Sequence, residues 1–156
     1  MGEEQLVVVT IGERKCGLDV QHIKEIVKPK SITPIPHTPA YVEGLMNLRG
    51  QIVSVIHLGQ KLATLQSGSD FVNRNQDSKD ERIVVMNQSG ELVGLHVDVV
   101  EEVLTFESER LELPDAGELK DKGIIDGVVQ ENETIVMKIN TSLLLRSISA
   151  EGENYE

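Results

Sequence analysis

YVEGLMNLRGQIVSVIHL, residues Tyr41 to Leu58, places two short apolar runs on either side of the polar tetrad Asn47-Leu48-Arg49-Gly50. Leu45 and Met46 close the first run, and Ile52, Val53, Val55 and Ile56 carry the second. Asn and Gly adopt turn dihedrals at least cost, so the stretch reads as a β-hairpin. Arg49 then projects from a tight turn held by two strands, a rigid place from which to present a guanidinium.

The same hydrophobic plan recurs further along the chain. Gly17 to Val27 (GLDVQHIKEIV) overlays Gly94 to Leu104 (GLHVDVVEEVL) at an offset of 77, with Gly, Leu, Val and Glu coinciding at four positions. Gly44, Ile52, Val53, Ile56 and Leu62 overlay Gly127, Ile135, Val136, Ile139 and Leu145 at an offset of 83. Two halves with one plan, the second six residues longer between its blocks, indicate a duplicated β module.

The 156 residues suffice for one ordinary domain or two small modules sharing a core, and 39% hydrophobic residues suits a globular chain. Apolar runs extend only a few residues, far below the roughly 20 that cross a bilayer, and MGEEQL lacks the basic start of a leader. The single Cys16 allows no internal disulfide, in keeping with a reducing, cytoplasmic setting. Charge is uneven: residues 1–66 carry net +1 and residues 67–156 net −12. The acidic half would repel nucleic acid, and four Phe and Tyr residues give no stacking set.

Taken in order, Gln5 to Ile11 and Lys15 to Val20 read as strands joined by Gly12-Glu13-Arg14, since β-branched residues dominate. Val20, Ile23, Ile26 and Val27 recur at helical spacing, which predicts a short helix ended by Pro29. SITPIP, residues 31–36, is extended by its prolines, and Leu58 to Leu65 closes the first half as a helical turn. Residues 67–80 lose apolar periodicity and read as a mobile connection. Arg82 to Met86 and Glu91 to Val97 are predicted strands, followed by a second hairpin around Glu131-Asn132-Glu133. Asn140 or Thr141 caps a last helix through Leu143, Leu144, Leu145 and Ile148, and 149–156 is an acidic, frayed tail. The expectation is a mainly β single domain of 1–156, built as two small barrels from subdomains at about 5–66 and 81–148.

Catalytic signatures are sparse. His22, His37, His57 and His96 share no metal-ligand spacing, and one cysteine gives no Cys-x2-Cys pair. His57 and His96, each in a predicted strand, read as structural residues. Cys16 reads as a gap filler in a barrel. Ser54 lacks a Gly-x-Ser-x-Gly elbow, and no phosphate loop or dinucleotide fingerprint occurs. What remains is a binding surface. Val20, Ile23 and Val27, with Val97 and Val100 in the repeat, read first as core, yet they also line the place where two barrels would meet, which suits an amphipathic helix from a partner. A small hydrolase built from spatial pairings is the rival reading from another class.

From Gln5 to about Ile148 the chain resembles the CheW-like coupling domain of bacterial chemotaxis. The most specific part is Val42 to Val53, which matches the pattern Gly-apolar-apolar-Asn-Leu-Arg-Gly-x-apolar-apolar. Supporting matches are Gly17 to Val20 with Ile23 to Ile26, Val93 to Val100, and Ile125 to Val128. The resemblance implies two intertwined, SH3-like five-stranded barrels with short helices and a hydrophobic groove between them. It implies a non-enzymatic adaptor without cofactor or metal, bridging the cytoplasmic tip of methyl-accepting chemoreceptors and the regulatory domain of the histidine kinase CheA at receptor clusters beneath the inner membrane. Carried over by motif, Val20, Ile23, Glu25, Ile26, Val27, Val97 and Val100 would face the receptor, and Asn47, Leu48 and Arg49 would couple receptor and kinase. Kinase contacts are placed at Leu113 and Leu119. The family continues after the hairpin as Pro-Val-x-Asp-Leu, where this chain has Ser54 for proline and His57 for aspartate. These departures admit an alternative, a scaffold of the same fold for a non-flagellar chemosensory kinase.

Overall fold

The structure is a computed structural model that describes residues 2–65, 79–113 and 124–152. Among the described residues eleven strands run in chain order as β1 (Glu3–Ile11), β2 (Arg14–Asp19), β3 (Ile23–Val27), β4 (Ile32–Thr33), β5 (Val42–Leu48), β6 (Gln51–His57), β7 (Arg82–Gln88), β8 (Glu91–Val97), β9 (Val99–Glu107), β10 (Ile125–Glu131) and β11 (Thr134–Ile139). Helices α1 (Leu58–Leu65) and α2 (Thr141–Gly152) follow the two hairpins β5-β6 and β10-β11. Asn140 caps α2 by accepting a hydrogen bond from the Leu143 amide at 3.0 Å.

The strands form two sheets, ordered β10-β11-β2-β1-β9 and β3-β7-β8-β6-β5-β4, and each makes one SH3-like barrel. Exchanging equivalent strands of the two sequence halves turns one order into the other, with β4 added at the edge. The registers agree residue by residue. Val136 pairs with Lys15 in parallel as Val53 pairs with Leu92, and Val103 pairs with Val7 as Ile26 pairs with Val84. The β4 pairing of Thr33 with Leu45 has its counterpart in the isolated bridge between Glu112 and Val128. The halves 5–66 and 81–148 are thus units of the repeat and not of the sheets. The first barrel takes β1 and β2 from one half and β9 to β11 from the other, so the chain changes barrel after β2 and again after β8. At the second change, the Asp98 carboxylate accepts from the Gly12 amide at 2.8 Å and the Asp98 amide donates to Thr10 at 3.1 Å.

The run Leu6-Val7-Val8-Val9 has apolar residues on both faces because both faces are buried. Leu6 and Val8 enter the interior of the first barrel with Leu104, Phe106, Val129 and Val136. Val7 and Val9 enter a shared core that takes Cys16 and Leu18 from the first barrel and Ile56, Val84, Met86 and Leu95 from the second. Met46, Leu48, Val53, Val55, Ile83 and Val85 fill the second barrel. Three cores, one of them common, weld the intertwined barrels together.

One expectation needs correction. Val20 to Val27 is not a helix: a three-residue 3-10 turn, Val20–His22, leads into strand β3, which pairs antiparallel with β7. A bulge between Ile23 and Glu25 puts Ile23 and Ile26 on one face, opposite Met86 and Val84, with Glu25 and Val27 on the other. That three-residue spacing imitates helical periodicity, and β9 repeats it with Val100 and Val103 opposite Val9 and Val7. The connection predicted at 67–80 lies outside the described residues except for a turn at Lys79 and Asp80, and α2 continues to Gly152, past the predicted start of the tail.

Candidate functional site: an ion-paired turn and the seam between barrels

Arg49 and Gly50 form the two-residue turn between β5 and β6, with φ of 50° and 88°. Both central residues have positive φ, as in a type I′ hairpin turn, whose twist suits the flanking strands. The Asn47 side-chain oxygen accepts from the Gly50 amide at 3.0 Å and locks the bend. Asn87 and Gly90 repeat this lock at 2.9 Å in the β7-β8 turn. Asn-x-x-Gly is therefore a turn device used twice in this chain, and the arginine distinguishes the first copy.

The Arg49 side chain is 63% exposed and its Nη2 pairs with the Glu25 carboxylate on β3. The pair ties the turn to a strand 24 residues earlier and fixes where the guanidinium points. An exposed pair of this kind adds only about 0.2–1 kcal/mol to stability. Arg49→Ala is therefore expected to shift a urea unfolding curve by less than about 1 kcal/mol. A larger loss would show that the pair serves the fold. Leu48, 1% exposed, anchors the turn in the core of the second barrel and offers no surface.

The equivalent corner of the first barrel is built differently. Asn132, with φ of 57°, stands where Arg49 does, and Glu102 stands where Glu25 does. Arg110 donates through Nη2 to the Gln130 carbonyl and the Glu131 carboxylate of this turn at 2.7 and 2.9 Å, and a cleft of about 230 Å³ lies at the corner, lined in part by Lys15, Glu101, Glu102, Glu131 and Asn132. Thr10 and Lys15 donate to Glu101 at 2.5 and 3.1 Å and hold its carboxyl below the usual range. The two corners thus differ in the turn residue itself, an arginine in the second barrel and an asparagine in the first.

Val20, Ile23 and Val100 are half-buried and pack against the shared core, while Val27 packs against the core of the second barrel. Ile26 is 38% exposed, as is its equivalent Val103 at 56%. Val97, equivalent to Val20, differs: it is 1% exposed within the shared core, because it lies in β8 and pairs with Arg82 of β7, so a partner cannot touch it without displacing the strand. Leu113 is 73% exposed just after the Glu112 bridge, and Leu119 lies outside the described residues.

The candidates for chemistry occupy structural roles. Burial drives the Cys16 thiol up to about 12, where it is no nucleophile at neutral pH. His57 Nδ1 accepts from the Gln60 amide at 3.0 Å. This makes His57 the N-cap of α1, with an imidazole nitrogen as the capping acceptor. Ser54 sits within β6, opposite Leu45 of β5 and Val93 of β8. Among the described residues no group of three or more His, Cys, Asp or Glu could hold a metal ion, and no helix is long and apolar enough to cross a membrane. Sequence reading singled out Glu25 and Arg49 without pairing them. It passed over a second cluster, His96 between Glu43 and Glu81, whose members are far apart in the chain.

Two intertwined barrels welded by a common core, with an arginine held outward on a locked turn, define a protein-binding module. The chain belongs to the CheW-like domain family, whose model matches residues 5–149. It is 32% identical over 145 residues to the chemotaxis protein CheW of Treponema pallidum, covering 90% of this chain and 76% of that protein. It is 30% identical over 126 residues to CheW of Thermotoga maritima, covering 79% and 78%. The crystal structure of the scaffolding protein TtCheW from Thermoanaerobacter tengcongensis superposes with a TM-score of 0.75 at 31% identity, over 92% of this chain and 88% of that one.

Proposed function

We propose that the chain is a non-enzymatic adaptor that couples the cytoplasmic tip of methyl-accepting chemoreceptors to the regulatory domain of the histidine kinase CheA, in arrays beneath the inner membrane. The observation that carries this reading is the Arg49 turn: a largely exposed guanidinium, oriented by Glu25 and by the Asn47 lock, adds little stability and is placed for a partner's carboxylates. The seam supplies the apolar part. Val20, Ile23, Ile26 and Val100 offer half-exposed aliphatic surface to a receptor helix, while Val27, on the other face of β3, supports that strand from the core of the second barrel. Val97 is left out of that contact set as a core residue, and Asn47 and Leu48 serve by holding the turn. Leu113, exposed just after the Glu112 bridge to Val128, is a kinase contact. Each contact is modest alone, and avidity in an array multiplies them.

The test is an equilibrium titration of the chain with a CheA-type regulatory domain, repeated with a receptor-tip helical hairpin added. Binding of each partner alone and of both together at tens of micromolar or tighter is the expected result. Absence of binding to both would overturn the reading. Loss of receptor binding on Ile23→Asp, with kinase binding kept, would assign the seam to the receptor; loss of kinase binding alone would reverse that assignment.

A further inference from the structure

His96 lies in β8 between Ile83 of β7 and His57 of β6. Its Nδ1 is 2.7 Å from a Glu43 carboxylate oxygen at the start of β5, and its Nε2 is 2.5 Å from a Glu81 oxygen just before β7. Nδ1 is hydrogen-bonded to Glu43, whereas Nε2 lies at ion-pair distance from Glu81 outside hydrogen-bond geometry, so both carboxylates favour the charged ring, one by a hydrogen bond and the other by proximity. All three side chains are largely buried, at 14%, 23% and 14% exposure, so the charges act on one another with little screening. Groups from the neighbouring elements are His57 of β6, Arg82 of β7 and, on α1, the fully buried Lys61. His57 stands edge-on at 6.1 Å with Nδ1 occupied by the Gln60 amide, and Arg82 directs its guanidinium to the Lys79 and Glu81 carbonyls. Burial by itself would lower the His96 pKa. The hydrogen bond and charge of Glu43, with the Glu81 carboxylate beside Nε2, outweigh it and raise the pKa above the ordinary histidine value.

The repeat supplies an internal control. Glu81 and Glu43 are equivalent by register to Glu4 and Asp126 of the first barrel. That carboxylate pair is also bridged by a cation, Lys138, whose Nζ is 2.6 Å from Glu4 and 3.8 Å from Asp126. The same two acidic positions are therefore joined in both barrels, by a permanent charge in one and by a titratable ring in the other.

We propose that Glu43, His96 and Glu81 form a proton-operated clamp on one end of the second barrel. With His96 charged, it ties the starts of β5 and β7 to the end of β8. With His96 neutral, Glu43 and Glu81 lose the ring's charge and these strand ends loosen. Because the folded-state pKa lies above the unfolded one, the stabilisation is complete below about pH 6.5 and is lost as pH rises through the raised folded value. The Lys138 bridge keeps the first barrel's equivalent end closed throughout.

Two measurements on the intact chain test this. The His96 ring is titrated by NMR, and amide exchange is followed from pH 5.5 to 8.5 after correction for intrinsic rates. The expected results are a His96 midpoint above 6.5 and about tenfold faster corrected exchange at high pH for residues 42–45, 81–84 and 95–97, with residues 4–7 and 125–127 unchanged. In Glu43→Gln/Glu81→Gln the midpoint falls and the pH dependence of exchange is reduced below about twofold. A His96 midpoint at or below 6.5 would overturn the clamp, and so would wild-type exchange that is flat or changes equally in both barrels. The ring titration of the wild-type chain decides the matter even if the double variant does not fold.

Discussion

Replacing Gly44 with alanine is expected to lower the unfolding free energy by about 4 kcal/mol, the sum of a positive-φ penalty and a steric clash of roughly 1–3 kcal/mol each. Gly44 has φ of 142°, and a Cβ built there would lie 2.1 Å from the Thr33 carbonyl oxygen and 2.9 Å from the Pro34 Cα. These are backbone atoms of β4 and the residue after it, so relief requires moving a strand that pairs with β5. The repeat makes the same close approach at Gly127, 2.7 Å from the Glu112 carbonyl. Gly50 is the control: its φ of 88° also favours glycine, yet nothing lies within 4 Å of its Cβ position. Gly50→Ala should therefore cost only about 1–2 kcal/mol. Urea unfolding of both variants measures the difference, and equal losses would mean that β4 yields freely.

Leu18→Ala and Leu95→Ala come next in size, each expected to cost about 2–5 kcal/mol. Both residues are 0% exposed, occupy equivalent repeat positions and point into the shared core from opposite barrels. A cavity on either side removes contacts from both sheets. Each variant is thus expected to keep one cooperative transition, with NMR methyl probes in the two barrels melting together. Two separated transitions, with only the mutated barrel shifted, would show that the shared core does not weld them. Leu6→Ala, confined to the interior of the first barrel, offers a local comparison of equal side-chain loss.

These effects follow from features with different visibility in the sequence. The repeat is legible because glycine and aliphatic positions at offsets 77 and 83 are the positions where the backbone approaches closely or side chains enter a core. Gly17 and Gly94 illustrate this: a Cβ at either would meet, at 2.5 Å, Leu6 or Ile83, which are themselves equivalent residues. The hairpin at Asn47 to Gly50 is legible for the same local reason, since turn chemistry is written in adjacent residues. Strand β3 is misread as a helix because a bulge shifts the period from two to three over the few residues that matter. Which barrel each strand joins is hidden as well, since both changes of barrel occur in short segments without distinctive composition. Val20 and Val97 show a further limit, identical residues at equivalent positions whose burial differs through their strand environments. The Arg49 pair and the His96 cluster rest on contacts between residues 24 and 53 positions apart, which only the folded register brings together.

The most direct measurement of the coupling role is receptor-stimulated autophosphorylation of a CheA-type kinase in a reconstituted mixture of kinase, receptor signalling domain and this chain. Stimulation that depends on the chain, falls at least about tenfold with Arg49→Glu and stays low with Arg49→Glu/Glu25→Arg is the expected result, since the swap restores an ion pair but presents a carboxylate to the partner. No stimulation by the wild-type chain, with both partners shown to be active alongside another CheW-family protein, would contradict the adaptor function.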